Sequence, residues 1–329
     1  MMAVSIIAKS QTVTWKVLKN DALDHKNFSV CIDPLFIDLN GNNGYAFGWG
    51  TRAEYMMGKM FIMNFDFRSG FGTNGYKISD DNTKNYTYIE GGLGLIFKHS
   101  QYSQNVGIIL SQSSSTSYYS GYSVTTTTTK YIRGGVPANH LHIWAFRGGL
   151  YSYSNSLSYK NLSDSLLIFR GGSKEFTYKD SLGNSKFNTG FGAMTTLAIY
   201  GGIQSRLIRD LQIDVDGYGY RENSRYLDYY LDIIFAPVIS IKDFSAHGTT
   251  YDVNYSKKGR FGWRFGVSNR HPSDQGFNFK FEFGVRPGPR AKDNKGIINL
   301  KNWYCMLTYA LYFPMKIKPT FYQEKRTSE

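Results

Sequence analysis

From Phe277 to Val285 the chain alternates without a break, with Phe277, Phe279, Phe281, Phe283 and Val285 at one parity and Asn278, Lys280, Glu282 and Gly284 at the other. Successive side chains of a strand point to opposite sides, so this is a strand with one apolar face and one charged face. A soluble sandwich can contain one such strand, but here the pattern recurs about ten times, with aromatic residues on the apolar side and Gly or charge opposite. Tyr45, Phe47 and Trp49 oppose Gly48, Gly50 and Arg52, and Phe61, Met63, Phe65 and Phe67 oppose Asn64, Asp66 and Arg68. Leu93, Leu95 and Phe97 face away from Gly92, Gly94 and Lys98. Residues 191–199 and 211–215 form two further runs, the second alternating with Gln212, Asp214 and Asp216. Leu227, Tyr229, Leu231, Ile233 and Phe235 alternate with Asp228 and Asp232; Phe261, Trp263, Phe265 and Val267 with Gly262, Arg264 and Gly266; and Trp303, Cys305, Leu307, Tyr309, Leu311 and Phe313 with Tyr304, Thr308 and Ala310.

Such repetition predicts an all-β chain folded as a single antiparallel transmembrane β-barrel, apolar outside and polar inside. Weaker runs at 28–39, 106–111, 140–151 and 162–170 bring the expected number of strands to about 12–14, with even numbers favoured. Short connections are expected at 98–104, 221–225 and 270–276. Long polar ones are expected at 73–85, 113–139, 172–188, 241–259 and 287–299, gathered on one rim. Residues 111–130, rich in Ser, Thr and Tyr, are expected either as a mobile loop or as the extramembrane extension of a hairpin, with strand propensity favouring the hairpin. No linker divides the chain. The apolar residues 1–7 followed by Ala8-Lys9-Ser10 have the shape of a shortened signal peptide, which leaves 11–329 as the barrel.

Composition fits this outline. Aromatic residues make up 16% and include 26 Tyr and 23 Phe, which suit strands and interfacial girdles. The mean hydropathy of -0.37 does not argue against a membrane, because a barrel commits only alternate residues to lipid. No run of 18 apolar residues supports a helical span. The net charge of +13 is spread through loops and lumen positions rather than gathered into a basic stripe, so nucleic acid is not expected. Lipid headgroups and lipopolysaccharide phosphates are the anionic partners this distribution suits, and solubility of the loops is an equal use. Arg-Gly-Gly triplets begin at Arg133, Arg147 and Arg170, embedded in apolar alternation, and read as glycine pairs at strand bends. Two cysteines exclude a disulfide framework, although Cys31 and Cys305, on the first and last candidate strands, could bridge if the sheet closes there.

On the polar faces, Arg52, Asp66, Arg68, Asp214, Asp216, Asp228, Asp232, Arg264, Lys280 and Glu282 are the expected lumen charges. They could be paired across a filled barrel or could line a path for a small polar solute. Phe61, Phe65, Phe67, Leu231, Phe235, Phe261, Trp263, Phe265, Phe279, Phe281, Phe283, Trp303, Leu307 and Leu311 are the expected lipid-facing set. His140 and His142 share a strand face but lack a third metal ligand. No cofactor motif is present.

The stretch Ser268-Asn-Arg-His-Pro-Ser-Asp-Gln-Gly276 resembles the His-x-Ser-Asn region and following turn of outer-membrane lipid A deacylases. The place of that family's catalytic His is taken by Gly266, so Ser268 would lack its base unless His271 served. From the apparent signal to Tyr309-Ala-Leu-Tyr-Phe313 the chain resembles outer-membrane barrel proteins of the Bacteroidota type. That resemblance implies export to the outer membrane of a Gram-negative cell. It implies roles from channels to accessory subunits of secretion, assembly or import complexes, with other outer-membrane or surface proteins as partners. A non-enzymatic structural or accessory subunit is the first expectation, a passive channel for small polar solutes the second, and a lipid A or phospholipid acyl hydrolase the third.

Overall fold

The computed structural model of the chain describes residues 13–40, 44–71, 85–158, 191–241, 244–246, 249–251, 258–272, 274–289 and 302–317. In chain order the strands are β1 (Trp15–Asn20), β2 (Phe28–Asn40), β3 (Gly44–Met57), β4 (Phe61–Gly70), β5 (Thr87–Val106), β6 (Ile109–Tyr119), β7 (Tyr122–Tyr131), β8 (Val136–Ser158), β9 (Phe191–Val215) and β10 (Gly219–Ile241). The short β11 (Phe244–Ala246), β12 (Thr249–Tyr251) and β13 (Lys258–Gly259) follow, then β14 (Phe261–Arg270), β15 (Gly276–Val285), β16 (Gly288–Pro289) and β17 (Trp303–Met315).

Ten of these form one antiparallel ring in the order β2-β3-β4-β5-β8-β9-β10-β14-β15-β17. The ring closes where β17 returns to β2, from Tyr304 opposite Asn40 to Met315 opposite Phe28. Closure gives every barrel strand two neighbours and removes the unpaired edges of an open sheet. Two of the prolines inside barrel strands lie at irregularities: Pro34 within the register slip between Asp33 and Phe36, and Pro237 within the slip between Phe235 and Val238. A residue without an N–H is tolerated at a bulge because the ladder is already interrupted there.

The barrel has ten strands rather than 12–14, and the physical reasons are particular. Runs 191–199 and 211–215 are one strand, β9, 25 residues long. Residues 98–104 and 221–225 lie inside β5 and β10 and turn nothing. Residues 113–139 contain most of the β6–β7 hairpin and the start of β8, and the hairpin pairs only with itself, from Ile109 opposite Tyr131 to Tyr119 opposite Tyr122. The run 162–170, Arg170, the segment 1–10 and the long connections 73–84 and 172–188 lie outside the described residues, as do most of 241–259 and 287–299.

One rim carries the tight turns at 58–60, 216–218 and 271–275, together with β1 and the β6–β7 hairpin. At 216–218 the chain reverses with Gly217 at a φ of 77°, a conformation in which a side chain would be strained. Below this rim the wall divides. β8 and β9 are paired only as far as His140 opposite Arg209, and β1 then takes the place of β8, pairing Asn20 with Leu211 and Trp15 with Val215. Asn20 stitches the change of partner through its Nδ2, which donates to Pro137 O at 3.1 Å, and its Oδ1, which accepts from Asn139 N at 2.7 Å. The separated ends close over a small apolar core of Val106, Ile108, Leu110, Val136, Leu211, Ile213 and Val215.

In the ring, β9 and β2 are separated by four strands in either direction and stand opposite each other. The chain lies on β9 as β1 and must begin β2 across the barrel, so residues 21–27 cross the mouth. The closing strands put Cys31 opposite Tyr312 and Cys305 opposite Leu39, and both cysteines are free. Nearly every side chain of the hairpin is exposed, from Ser111 to Lys130, so it contributes little to barrel stability. Replacing residues 111–130 by a short turn is expected to leave the thermal unfolding midpoint of the refolded barrel within a few degrees, as measured by the loss of its compact band on electrophoresis.

Candidate functional site

Parity along each barrel strand sends one row of side chains inward. Outside stand Phe65, Leu231, Phe261, Phe265, Phe279, Phe283, Trp303, Leu307 and Leu311, all exposed, with Phe61, Phe67, Phe235, Trp263 and Phe281 half-exposed. Inside, Asp66, Arg68, Asp228, Asp232, Arg264 and Glu282 are buried, and Arg52 and Lys280 are nearly so. Asp214 and Asp216 are placed elsewhere. Asp214 is exposed on the part of β9 beyond the barrel and Asp216 in the turn that follows, because there the apolar residues Ile213 and Val215 turn into the small core. Asp216 accepts a hydrogen bond from Thr14 at the turn into β10.

The interior holds more charge than the alternation disclosed. Asp33, Asp38, Glu54, Asp66, Glu90, Asp228, Asp232 and Glu282 meet Arg52, Arg68, Arg147, Arg206, Arg264, Arg270, Lys280 and Arg286, eight acids against eight bases among the described residues within the ring, and at its tight-turn end the buried Asp210 is held by Lys19 of β1 at 2.7 Å. Burying an ion without a counterion costs several kcal/mol, so the equality is what makes the arrangement affordable.

The groups are arranged in layers. Midway along the barrel, Arg264 from β14 donates to both oxygens of Glu90 at 2.6 and 2.8 Å and to Asp232 at 2.6 Å. Arg147 from β8 approaches the same two acids at 3.2 and 3.3 Å. Beside them Glu282 accepts from Tyr230 at 2.5 Å and Tyr304 at 2.6 Å, and Lys280 bridges to Asp66 at 3.2 Å. Toward the tight-turn rim, Glu54 is shared by Arg206 at 2.6 Å and by Arg270, while Asp228 accepts from Gln204 at 2.8 Å and from Arg206 at 3.1 Å. Toward the other rim, Arg286 pairs with Asp38 at 2.7 Å among Phe36, Tyr86 and Tyr153.

The wall leaves room for these bulky groups by glycine. A Cβ on Gly266 would come within 2.1 Å of the Tyr230 ring, which lies against the inner surface there. Between the middle and lower layers a cavity of about 80 Å³ remains, lined by groups that include Ser29, Cys31, Glu54, Asp66, Ser268, Arg270 and Lys280. That is room for a few waters among polar walls. Oδ1 of Asp66 and Nε of Arg270 are buried without a protein partner among the described residues.

Sequence reading passed over Asp33, Asp38, Glu54, Glu90, Arg147, Arg206, Arg270 and Arg286; the last six keep the parity of their strands, whereas the register slip at Pro34 brings Asp33 and Asp38, at opposite parities, to one face. Glu54 follows Arg52 by two, and Arg206 lies in the interval left between two supposed strands. Ser268 Oγ accepts from Asn278 Nδ2 at 3.4 Å, while His271 is bonded to Glu222 and accepts from Asp274 N at 2.9 Å. Because Nδ1 of His271 accepts, its Nε2 carries the proton and donates to Glu222. The Glu222, His271 and Asp274 group therefore presents no free imidazole lone pair to a metal, although its ligand atoms lie within 4.8 Å of one another. His140 is buried and stacks on Tyr102 with ring centroids 5.0 Å apart, and His142 is bonded to Ser205 at 2.9 Å.

No protein-family model matches the chain, and no curated protein matches it. Among solved structures it is similar to one described as the CymD monoaromatic hydrocarbon channel, at 10% identity and a TM-score of 0.22, over 91% of this chain and 90% of that one.

Two outcomes are expected. Arg264→Met leaves Glu90 and Asp232 short of their main counterion and should cost about 3–5 kcal/mol of stability in urea unfolding from vesicles, while adding Glu90→Gln should recover part of it. At the rim, partial burial pushes the Glu222 carboxyl up, but hydrogen bonds from His271 and Tyr220 outweigh this and hold it below its usual range. A carboxyl held low in the folded chain stabilises above its unfolded value and loses that contribution as pH falls through the folded one. Amide exchange in the turn 271–275 should therefore quicken in acid beyond the intrinsic change, and Glu222→Gln should remove that dependence.

Proposed function

We propose that the chain spans a Gram-negative outer membrane as a filled β-barrel and serves as a structural or accessory subunit of an outer-membrane complex. The observation that carries this reading is the interior itself, where opposed charges and tyrosines occupy the volume a solute would need. The membrane address is supported by the outer surface. The shortest barrel strands, β4, β14 and β15, have ten residues, which at a tilt of about 40° rise roughly 25 Å, the height of an outer-membrane apolar band, and the others extend beyond it. Trp49, Trp263 and Trp303 lie outward toward the long-connection ends of their strands, and Trp144 toward the tight-turn end. Such girdles mark the two interfaces of membrane barrels. No helix among the described residues is long and apolar enough to cross a membrane, which has no bearing on strands.

Lipid and lipopolysaccharide surround the barrel in this reading. The β6–β7 hairpin, reaching out on the tight-turn side, offers a surface to another subunit. Passive conduction of small polar solutes is the second reading, favoured by the cavity between the charged layers. The two separate in a planar bilayer. The accessory reading expects extraction only by detergent, purification with a stoichiometric partner and no steady current. A steady ohmic current from the wild-type chain alone would replace it with the channel.

A further inference from the structure

We propose that residues 21–27 are a plug in the tight-turn mouth of the barrel and that protonation of His25 releases it, opening the polar cavity to the solution on that side. The topology forces these residues across the mouth, and they do not merely pass over it. Ala22 and His25, 3% and 8% exposed, are inserted into the barrel end against Met56, Leu141, Ile208 and Tyr226. What fastens the crossing is polar and peripheral. Met56 N donates to Asn27 O at 2.7 Å, Lys26 N to Pro272 O at 3.3 Å, Asn27 exchanges two bonds of 2.8 Å with Ile317, and Lys316 reaches Asp24 at 2.5 Å.

His25 is where this seal is sensitive. Its Nδ1 donates to Ala22 O at 3.0 Å, which leaves Nε2 as an acceptor, buried and without a partner. The groups facing the ring are Glu54 from β3, Arg206 from β9, Tyr226 from β10 and Arg270 from β14. Glu54 is the one acid among them, and it already accepts from both guanidinium groups and from Tyr226 at 3.2 Å. A second proton on His25 would therefore add a buried cation beside two others with no carboxylate left to receive it. Burial and the two guanidinium groups hold the ring at about 4, down from 6.5. The sign follows: the closed form keeps its full stability above about 6.5 and loses it progressively as pH falls toward 4, because only the open form takes up the proton. Glu54 and Arg270 also line the cavity, so the plug and the cavity share a wall.

Cys31, buried in the cavity wall, is a reporter already in place. In a Cys305→Ser background, refolded barrel in detergent is exposed to dithiodipyridine, which reacts with thiols in acid, and rates are divided by those of the denatured chain at each pH. Amide exchange of residues 23–27 is followed in parallel. Both are expected to rise on the order of a hundredfold between about pH 7 and about pH 4 and to return on neutralisation. His25→Gln and His25→Phe, two neutral replacements of different shape, should each stay closed and flat. Rates independent of pH in the parent chain, or the same rise in both variants, would overturn the proposal, the latter by placing the trigger on a carboxylate.

Discussion

Charge neutrality inside a closed wall is the condition on which this molecule depends. A closed sheet of ten strands encloses a space that side chains must fill, and here those side chains are ions. Arg264 shows how the condition is met. It is 1% exposed, yet it donates to two acids and to the hydroxyl of Tyr88, with its Cζ 4.3 Å from the ring centroid of Tyr200. Seven of the eight interior cations are arginines and one is lysine. A planar fork can bind a carboxylate in two places and lie on a tyrosine at the same time, and an ammonium cannot. Arg286 on Tyr304 at 3.8 Å, Arg270 on Tyr226 at 3.9 Å and Arg147 on Tyr230 at 4.0 Å repeat the arrangement.

The same parity that sends ions inward sends Phe, Trp and Leu outward, reversing the usual order of a water-soluble protein. The inner tyrosines reconcile the two demands, because each has an apolar ring for packing and a hydroxyl for the network. Tyr230 and Tyr304 both donate to Glu282 while their rings pack against arginine. Glycine in the wall, as at Gly266, keeps such rings from colliding with the strand beside them.

Alternation made the outer rows and many of the inner charges legible, because a strand of fixed parity has no freedom to place them otherwise. It failed where parity changes. At Asp210 and Leu211 two successive residues are buried, and beyond them β9 presents its other face, so Asp214 and Asp216 left the network to which their spacing had assigned them. It was silent on aromatic residues of the inner face: Tyr88, Tyr151, Tyr153 and Tyr200 lie inside. Glu90 and Arg147 were hidden because both sit beside glycine pairs, which give a periodicity nothing to alternate with. The crossing at 21–27 left no local signal, since it follows from where β1 and β2 stand in the ring rather than from its own residues.

The seam between β2 and β17 joins the first and last members of the ring, nearly the whole chain apart in sequence. Until Trp303–Met315 is in place, every partly assembled form of this wall carries two free margins, one of them β2, with its backbone donors and acceptors unanswered. A nascent or clipped molecule ending before that strand would thus present β2 to whatever extended segment came near.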